Sequence, residues 1–317
     1  MKQQPLLGFL FAFTAACMWG SLPIALQQLL NIMDAQTVVW FRFAVAAIGL
    51  FFILKLTKRL PHWTVLRLRH WLLILLGIVG LSANFFLYNV ALQYIPPTTS
   101  QVFSPLSSFG MLLVGVLLFK ETFAVYQKVG LGLLILGLVL FFNQRVEDFL
   151  QFGTYVKGII ICISASLVWV AYGSAQKLML HRLTAQQVLL PIYIGCTILF
   201  LPTATISQVT HLNAMQIGCL IYCCLNTLIA YGAYAEALNH WDVTKVSAIV
   251  TQIPILTLIF SEVLLFIAPV AENNAPDYVM TEELNWISYI GVCFVVSGAL
   301  FSATGHRILV KITNRKP

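Results

Sequence analysis

Ten apolar stretches, each about twenty residues long and nearly free of charge, run through the 317 residues of this chain. They cover residues 6–29, 35–54, 71–94, 98–118, 124–142, 154–176, 185–206, 215–238, 244–268 and 285–305. A helix rises about 1.5 Å per residue, so about twenty residues match the roughly 30 Å of hydrocarbon in a bilayer. Backbone exposed to lipid must satisfy its own hydrogen bonds, which leaves helices or closed barrels, and runs of this length select helices. The pattern predicts an all-α integral membrane protein with ten transmembrane helices. A soluble core accommodates one or two such runs, not ten. Only 9% of the residues are charged, against about 25% in a soluble domain. The longest polar connections, near 55–70 and 269–284, leave no soluble domain.

The net charge of +7 reflects orientation and not nucleic-acid binding. With the N-terminus inside, Lys2, Lys55, Lys58, Arg59, Arg67, Arg69, Lys120, Lys128, Lys177, Arg182, Lys245, Arg307, Lys311, Arg315 and Lys316 fall on the cytoplasmic side, 15 of the 18 basic residues. The opposite side receives Arg145 and Lys157, and Arg42 lies within a helix. This bias predicts that both termini are cytoplasmic. The first apolar run is too long for a cleavable signal peptide and continues past Pro23. The seven cysteines lie inside apolar segments without disulfide or zinc spacing, and the six histidines lie in loops or at helix ends. No metal or other cofactor is expected.

The chain also repeats itself. Gly8, Ala15, Trp19, Ala25 and Leu30 recur as Gly158, Ala165, Trp169, Ala175 and Leu180, at an offset of 150. Tyr88-Asn89-Val90-Ala91-Leu92 recurs as Tyr234-Ala235-Glu236-Ala237-Leu238 at an offset of 146, and Gly130 and Gly137 recur as Gly291 and Gly298 at 161. One order with drifting loop lengths indicates a duplicated unit, residues 1–146 and 147–317. Five crossings per copy force the second copy to enter the membrane from the opposite side. The halves are then inverted, an arrangement that supplies alternating access to a central site.

Several short motifs resemble the drug/metabolite transporter superfamily, in its ten-helix EamA-like form. They are Trp19-Gly20-Ser21, Arg42-Phe43, Ala91-Leu92, Pro105, Lys120-Glu121 and the Gly130/Gly137 pair, followed in the second half by Ala237-Leu238, Pro254 and Gly291/Gly298. The second half departs at one point: Glu272 lies 18 residues beyond Pro254, where Glu121 lies 16 beyond Pro105. The resemblance implies movement of a metabolite or amino acid, often export, with the fifth and tenth helices serving packing.

Arg42, Glu236 and Glu262 are read as charges within the hydrocarbon, where a charge at mid-membrane costs about 2.5–3.5 kcal/mol on insertion scales. Arg42 lies eight residues past Asp34, about 12 Å from the outer end of its helix. Glu262 lies at a similar depth, which makes an Arg42–Glu262 gate pair geometrically possible. Glu236 replaces Val90 of the first copy, and Glu262 replaces Leu113 when the copies are aligned on Pro105 and Pro254. Either carboxylate is a candidate for coupling transport to protons. The uncharged cavity candidates are Trp19, Asn84, Tyr88, Gln101, Ser104, Trp169, Tyr231, Tyr234 and Gln252. Pro105 and Pro254 each free a backbone carbonyl near mid-membrane, at a hinge or a binding site.

The expected function is a secondary-active carrier for a small polar or amphipathic solute, in the inner (plasma) membrane, as a monomer or homodimer. A passive channel is the alternative. A membrane enzyme lacks its parts here, since no histidine lies deep in a helix and the aspartates are loop residues. No phosphate-binding loop for nucleotide-driven pumping is present either.

Overall fold

The computed structural model describes residues 4–61, 66–119, 123–180, 182–267 and 284–313. These residues are all-helical: α1 (Pro5–Leu30), α2 (Ala35–Leu56), α3 (Leu68–Ala91), α4 (Pro97–Val102), α5 (Ser104–Phe119), α6 (Val125–Phe141), α7 (Val146–Gln151), α8 (Thr154–Met179), α9 (Ala185–Phe200), α10 (Ala214–His240), α11 (Val243–Val250), α12 (Ile253–Ile267) and α13 (Trp286–Thr313), with a short 3-10 turn at Ile206–His211 before α10. Among the described residues, seven segments are long and apolar enough to cross a membrane: α1, α2, α3, α8, α10, residues 245–264 across α11 and α12, and residues 286–305 of α13. α6 and α9 are apolar but shorter, at 17 and 16 residues. Lys120, Glu121 and the acidic connection Glu272, Asp277, Glu282 and Glu283 lie outside the described residues.

Two of the expected helices are each two helices. The run 98–118 breaks at Phe103, between α4 and α5, and the run 244–268 breaks at Thr251–Gln252, between α11 and α12. Pro105 and Pro254 are the second residues of α5 and α12. Proline suits that position, because the first N–H groups of a helix have no partner within it and φ is already fixed. The prolines therefore start half-helices where the sequence suggested mid-helix kinks.

Elsewhere local chemistry sets the helix ends. The Asp34 carboxylate caps α2 by accepting from the Thr37 N–H at 2.7 Å, and it also accepts from Gln208 Nε2 at 2.7 Å. Thr184 and Asn213 cap α9 and α10, each with a glutamine three residues on whose side chain accepts from the cap's own N–H.

Small residues bring the helices together, as expected where lipid competes equally for apolar side chains. Gly8, Ala12, Ala16 and Gly20 repeat every fourth residue on the buried face of α1. The bundle packs in matched pairs: α1 on α10 and α8 on α3, α1 on α12 and α8 on α5, α2 on α10 and α9 on α3, with α2 on α9 and α6 on α13. α4 packs against both α1 and α12, whereas α11 makes no comparably extensive contact with α8 or α5.

The α6–α13 crossing is backbone on backbone. A Cβ at Gly137 would stand 2.5 Å from the Val295 nitrogen and 2.7 Å from the Gly291 oxygen, and one at Gly130 would stand 2.6 Å from the Gly298 oxygen. Gly130 thus faces Gly298 and Gly137 faces Gly291, so the two helices run antiparallel. Asn143 and Asn285 exchange amide hydrogen bonds of 3.1 and 2.8 Å at one end of this crossing.

Candidate functional site

Pro23 is the starting point. It lies within the continuous helix α1 and has no N–H to give the carbonyl four residues back, which belongs to Trp19. Gln101 of α4 takes that orphan acceptor, donating Nε2 to the Trp19 oxygen at 3.4 Å. The carbonyls on either side are also used by other helices. Met18 accepts from Asn226 and from the Tyr222 hydroxyl of α10, and Gly20 accepts from Thr257 of α12 at 2.8 Å. A proline in one helix thus ties three others around its middle.

The Gln101 amide also donates to the Tyr88 hydroxyl at 2.9 Å, and Tyr88 shares a 3.1 Å hydrogen bond with Ser100. On the other side of α1, the Trp19 ring meets Tyr231 edge-on at 5.4 Å between centroids and Tyr234 at 5.5 Å. Trp169 of α8 reaches the Tyr231 hydroxyl. Trp19, Tyr88, Trp169, Tyr231 and Tyr234 are all half-buried. Six of the sequence-derived candidates, Trp19, Tyr88, Gln101, Trp169, Tyr231 and Tyr234, therefore converge on one aromatic and amide cluster built from α1, α3, α4, α8 and α10.

Arg42 belongs to this cluster. It is 2% exposed, its Nε donates to Thr227 Oγ1 at 3.0 Å, and its guanidinium lies 4.4 Å from the centre of the Phe85 ring. The expected Arg42–Glu262 pair is not formed. Glu262 is exposed on α12 and accepts from the Tyr289 hydroxyl of α13 at 2.8 Å. Similar depth in the membrane did not place the two side chains on facing sides. Phe85 was missed in the sequence, where a phenylalanine among 22 carries no distinguishing signal.

The remaining candidates sit at the edges. Asn84 donates to the Ala165 carbonyl at 2.9 Å and so joins α3 to α8. Ser104 opens α5 and its carbonyl accepts from Ser107. Gln252 lies at the α11–α12 break, donating to the Ala248 carbonyl at 3.3 Å. Glu236 lies near the end of α10 with its carboxylate 3.7 Å from the His240 ring, while Lys245 pairs with Asp242 at 3.2 Å. A separate apolar groove of about 320 Å³ is lined by Gln36, Val79, Ser82, Phe86, Leu199 and Thr203 among others, and includes none of the cluster.

This geometry gathers aromatic rings, amides and a guanidinium at the middle of the bundle. Residues 6–143 and 156–270 each match the EamA-like transporter family. An uncharacterized transporter of Haemophilus influenzae is 52% identical over 309 residues, covering 98% of both chains. The uncharacterized inner membrane transporter YhbE of Escherichia coli K12 is 44% identical, covering 97% of this chain and 94% of its own. A crystal structure at 18% identity superposes with a TM-score of 0.61 over 93% of this chain and 95% of its own, a likeness of fold. The chain belongs to the EamA-like transporter family.

Proposed function

We propose that this multi-pass inner-membrane protein is a secondary-active carrier that moves a small metabolite by alternating access. The observation that carries the proposal is a contact made twice. Gly8 packs on Trp241, and Gly158 packs on Tyr94 and Ile95. Gly8 and Gly158 are equivalent at the offset of 150, and Ile95 and Trp241 at 146, so each half makes the same contact to the other. The α6–α13 glycines follow the same rule, Gly130 opposite the counterpart of Gly137 and the reverse. Reciprocal contacts between antiparallel equivalents belong to a two-fold axis lying across the helices. This supports two inverted five-helix repeats, 1–146 and 147–317, with α4–α5 and α11–α12 each forming one crossing of ten.

The distribution of basic residues supports cytoplasmic termini. An amino acid or similar polar or amphipathic solute is the proposed cargo, with export the proposed direction. Proteoliposomes loaded with solute and diluted into labelled solute test the carrier against a passive channel. A carrier accumulates label transiently by exchange. Label that only equilibrates, with no overshoot, would overturn the proposal in favour of a channel.

Proton coupling is assigned to Glu236, whose neighbour His240 is a second titratable group at 3.7 Å. In Glu236→Gln, an imposed proton gradient no longer drives net movement, while exchange at equal pH persists. A variant that responds to the gradient as the wild type does removes Glu236 from the coupling path.

A further inference from the structure

We propose that Arg42 is the group that recognises the solute, and that the solute carries a carboxylate. The inference rests on the carrier proposed above and names its substrate class. An arginine has five N–H donors in a rigid fork. At Arg42 one of them is committed, Nε to Thr227, and no acceptor for the terminal amino groups is found among the described residues. No carboxylate stands within ion-pair distance of Arg42 among those residues either. Glu236 is nine residues along α10 from Thr227, about 13 Å by helical rise, and Glu262 is bound to Tyr289. Lys245 and Arg145, by contrast, each have an acidic partner.

The terminal nitrogens also differ from the sealed polar atoms of this bundle. Gln27, Asn89 and Tyr172 each hold a fully enclosed atom without a partner, whereas the Arg42 nitrogens are unpartnered without being fully enclosed. A cation held within a membrane without a counter-charge is costly, and such a residue marks a site for an ionic ligand.

The setting favours a planar anion. Thr227 holds the Nε edge of the guanidinium and the Phe85 ring lies 4.4 Å from its central carbon, which leaves the terminal amino groups for a two-point hydrogen bond to a carboxylate. Tyr88 and Tyr231 stand within electrostatic reach of the same charge. Beyond Tyr231 lie Trp19 and Tyr234, an aromatic wall for the apolar or ammonium part of the solute.

Matched acids and amides read this directly: benzoate against benzamide, L-phenylalanine against L-phenylalaninamide, and further aliphatic pairs, titrated onto the purified full-length protein. The wild type is expected to bind at least one acid about tenfold or more tighter than its amide. Arg42→Gln erases that preference, a loss of about tenfold to a hundredfold for the acid and a smaller one for the amide, whose carbonyl accepts more weakly from the same donors. Arg42→Lys retains part of the preference, because it keeps the charge and loses the fork. Thr227→Val keeps the arginine and weakens acid binding less than Arg42→Gln does. A wild type that prefers no acid over its amide overturns the proposal without recourse to any variant, as does a folded Arg42→Gln that keeps the preference. Failure of the carrier itself looks different: acids bind selectively, yet no solute exchanges in proteoliposomes.

Discussion

Gly137→Val is expected to destabilise the bundle by about 3 kcal/mol or more, at or beyond the upper end of ordinary overpacking costs. The reason is what the added atoms would meet. The neighbours are the Val295 nitrogen and the Gly291 oxygen, both main chain, and neither can rotate away as a side-chain tip can. Relief requires the two helices to separate, which also strains the amide exchange between Asn143 and Asn285. Thermal unfolding of purified protein in detergent measures the loss, with Gly132→Ala as the control. Gly132 lies on the same helix, and a Cβ there would meet nothing within 4 Å. An unchanged midpoint in Gly137→Val would show that the crossing is looser than described.

Trp19→Ala is the second large effect, on transport and not on folding alone. The indole is the ring that both Tyr231 and Tyr234 rest against. Each aromatic pair contributes about 0.5–1.5 kcal/mol beyond its buried area, so losing two amounts to roughly 1–3 kcal/mol of wall around the solute. Exchange is expected to slow by about tenfold to a hundredfold, measured as initial rates at equal protein density. The backbone oxygen that accepts from Gln101 survives the substitution, which keeps the α1–α4 tie. Trp286→Ala serves as the control, since that ring is 85% exposed. Wild-type rates in Trp19→Ala would remove the aromatic wall from the transport path.

Apolar runs in the sequence located α1, α2, α3, α8 and α10 to within a few residues. At 98–118 and 244–268 they marked the run but not the break inside it, for a physical reason. Hydropathy is read over a window of about twenty residues, and the apolar flanks carry it across the short polar stretches around Phe103 and at Thr251–Gln252, where the backbone turns. The prolines carried the missing information: one at the second position of a helix reads as a start as readily as one inside it reads as a kink. For the site, residue types were legible and pairings were not. Counting residues from a helix end gives height in the membrane but not direction around the axis, which is why Arg42 and Glu262 looked matched. The answer to Arg42 was instead Thr227, on a helix whose order in the chain says nothing about its place beside α2.

The uneven packing of the half-helices has a consequence for how the bundle moves. α4 is wedged against α1 and α12, and its counterpart α11 has no equal contact with α8 or α5. If the halves trade conformations, that wedge passes from one end of the molecule to the other. Contacts that come in exchanged pairs, such as α1 on α10 and α8 on α3, then swap roles. The α6–α13 and α2–α9 contacts map onto themselves, so in the proposed exchange they would stay as they are, an axle about which the rest rocks. Under the proposed alternating access the two end states use the same contacts in reversed roles, so their energies differ only where the copies differ, and Pro23 against Gly173 and Val90 against Glu236 are two such places.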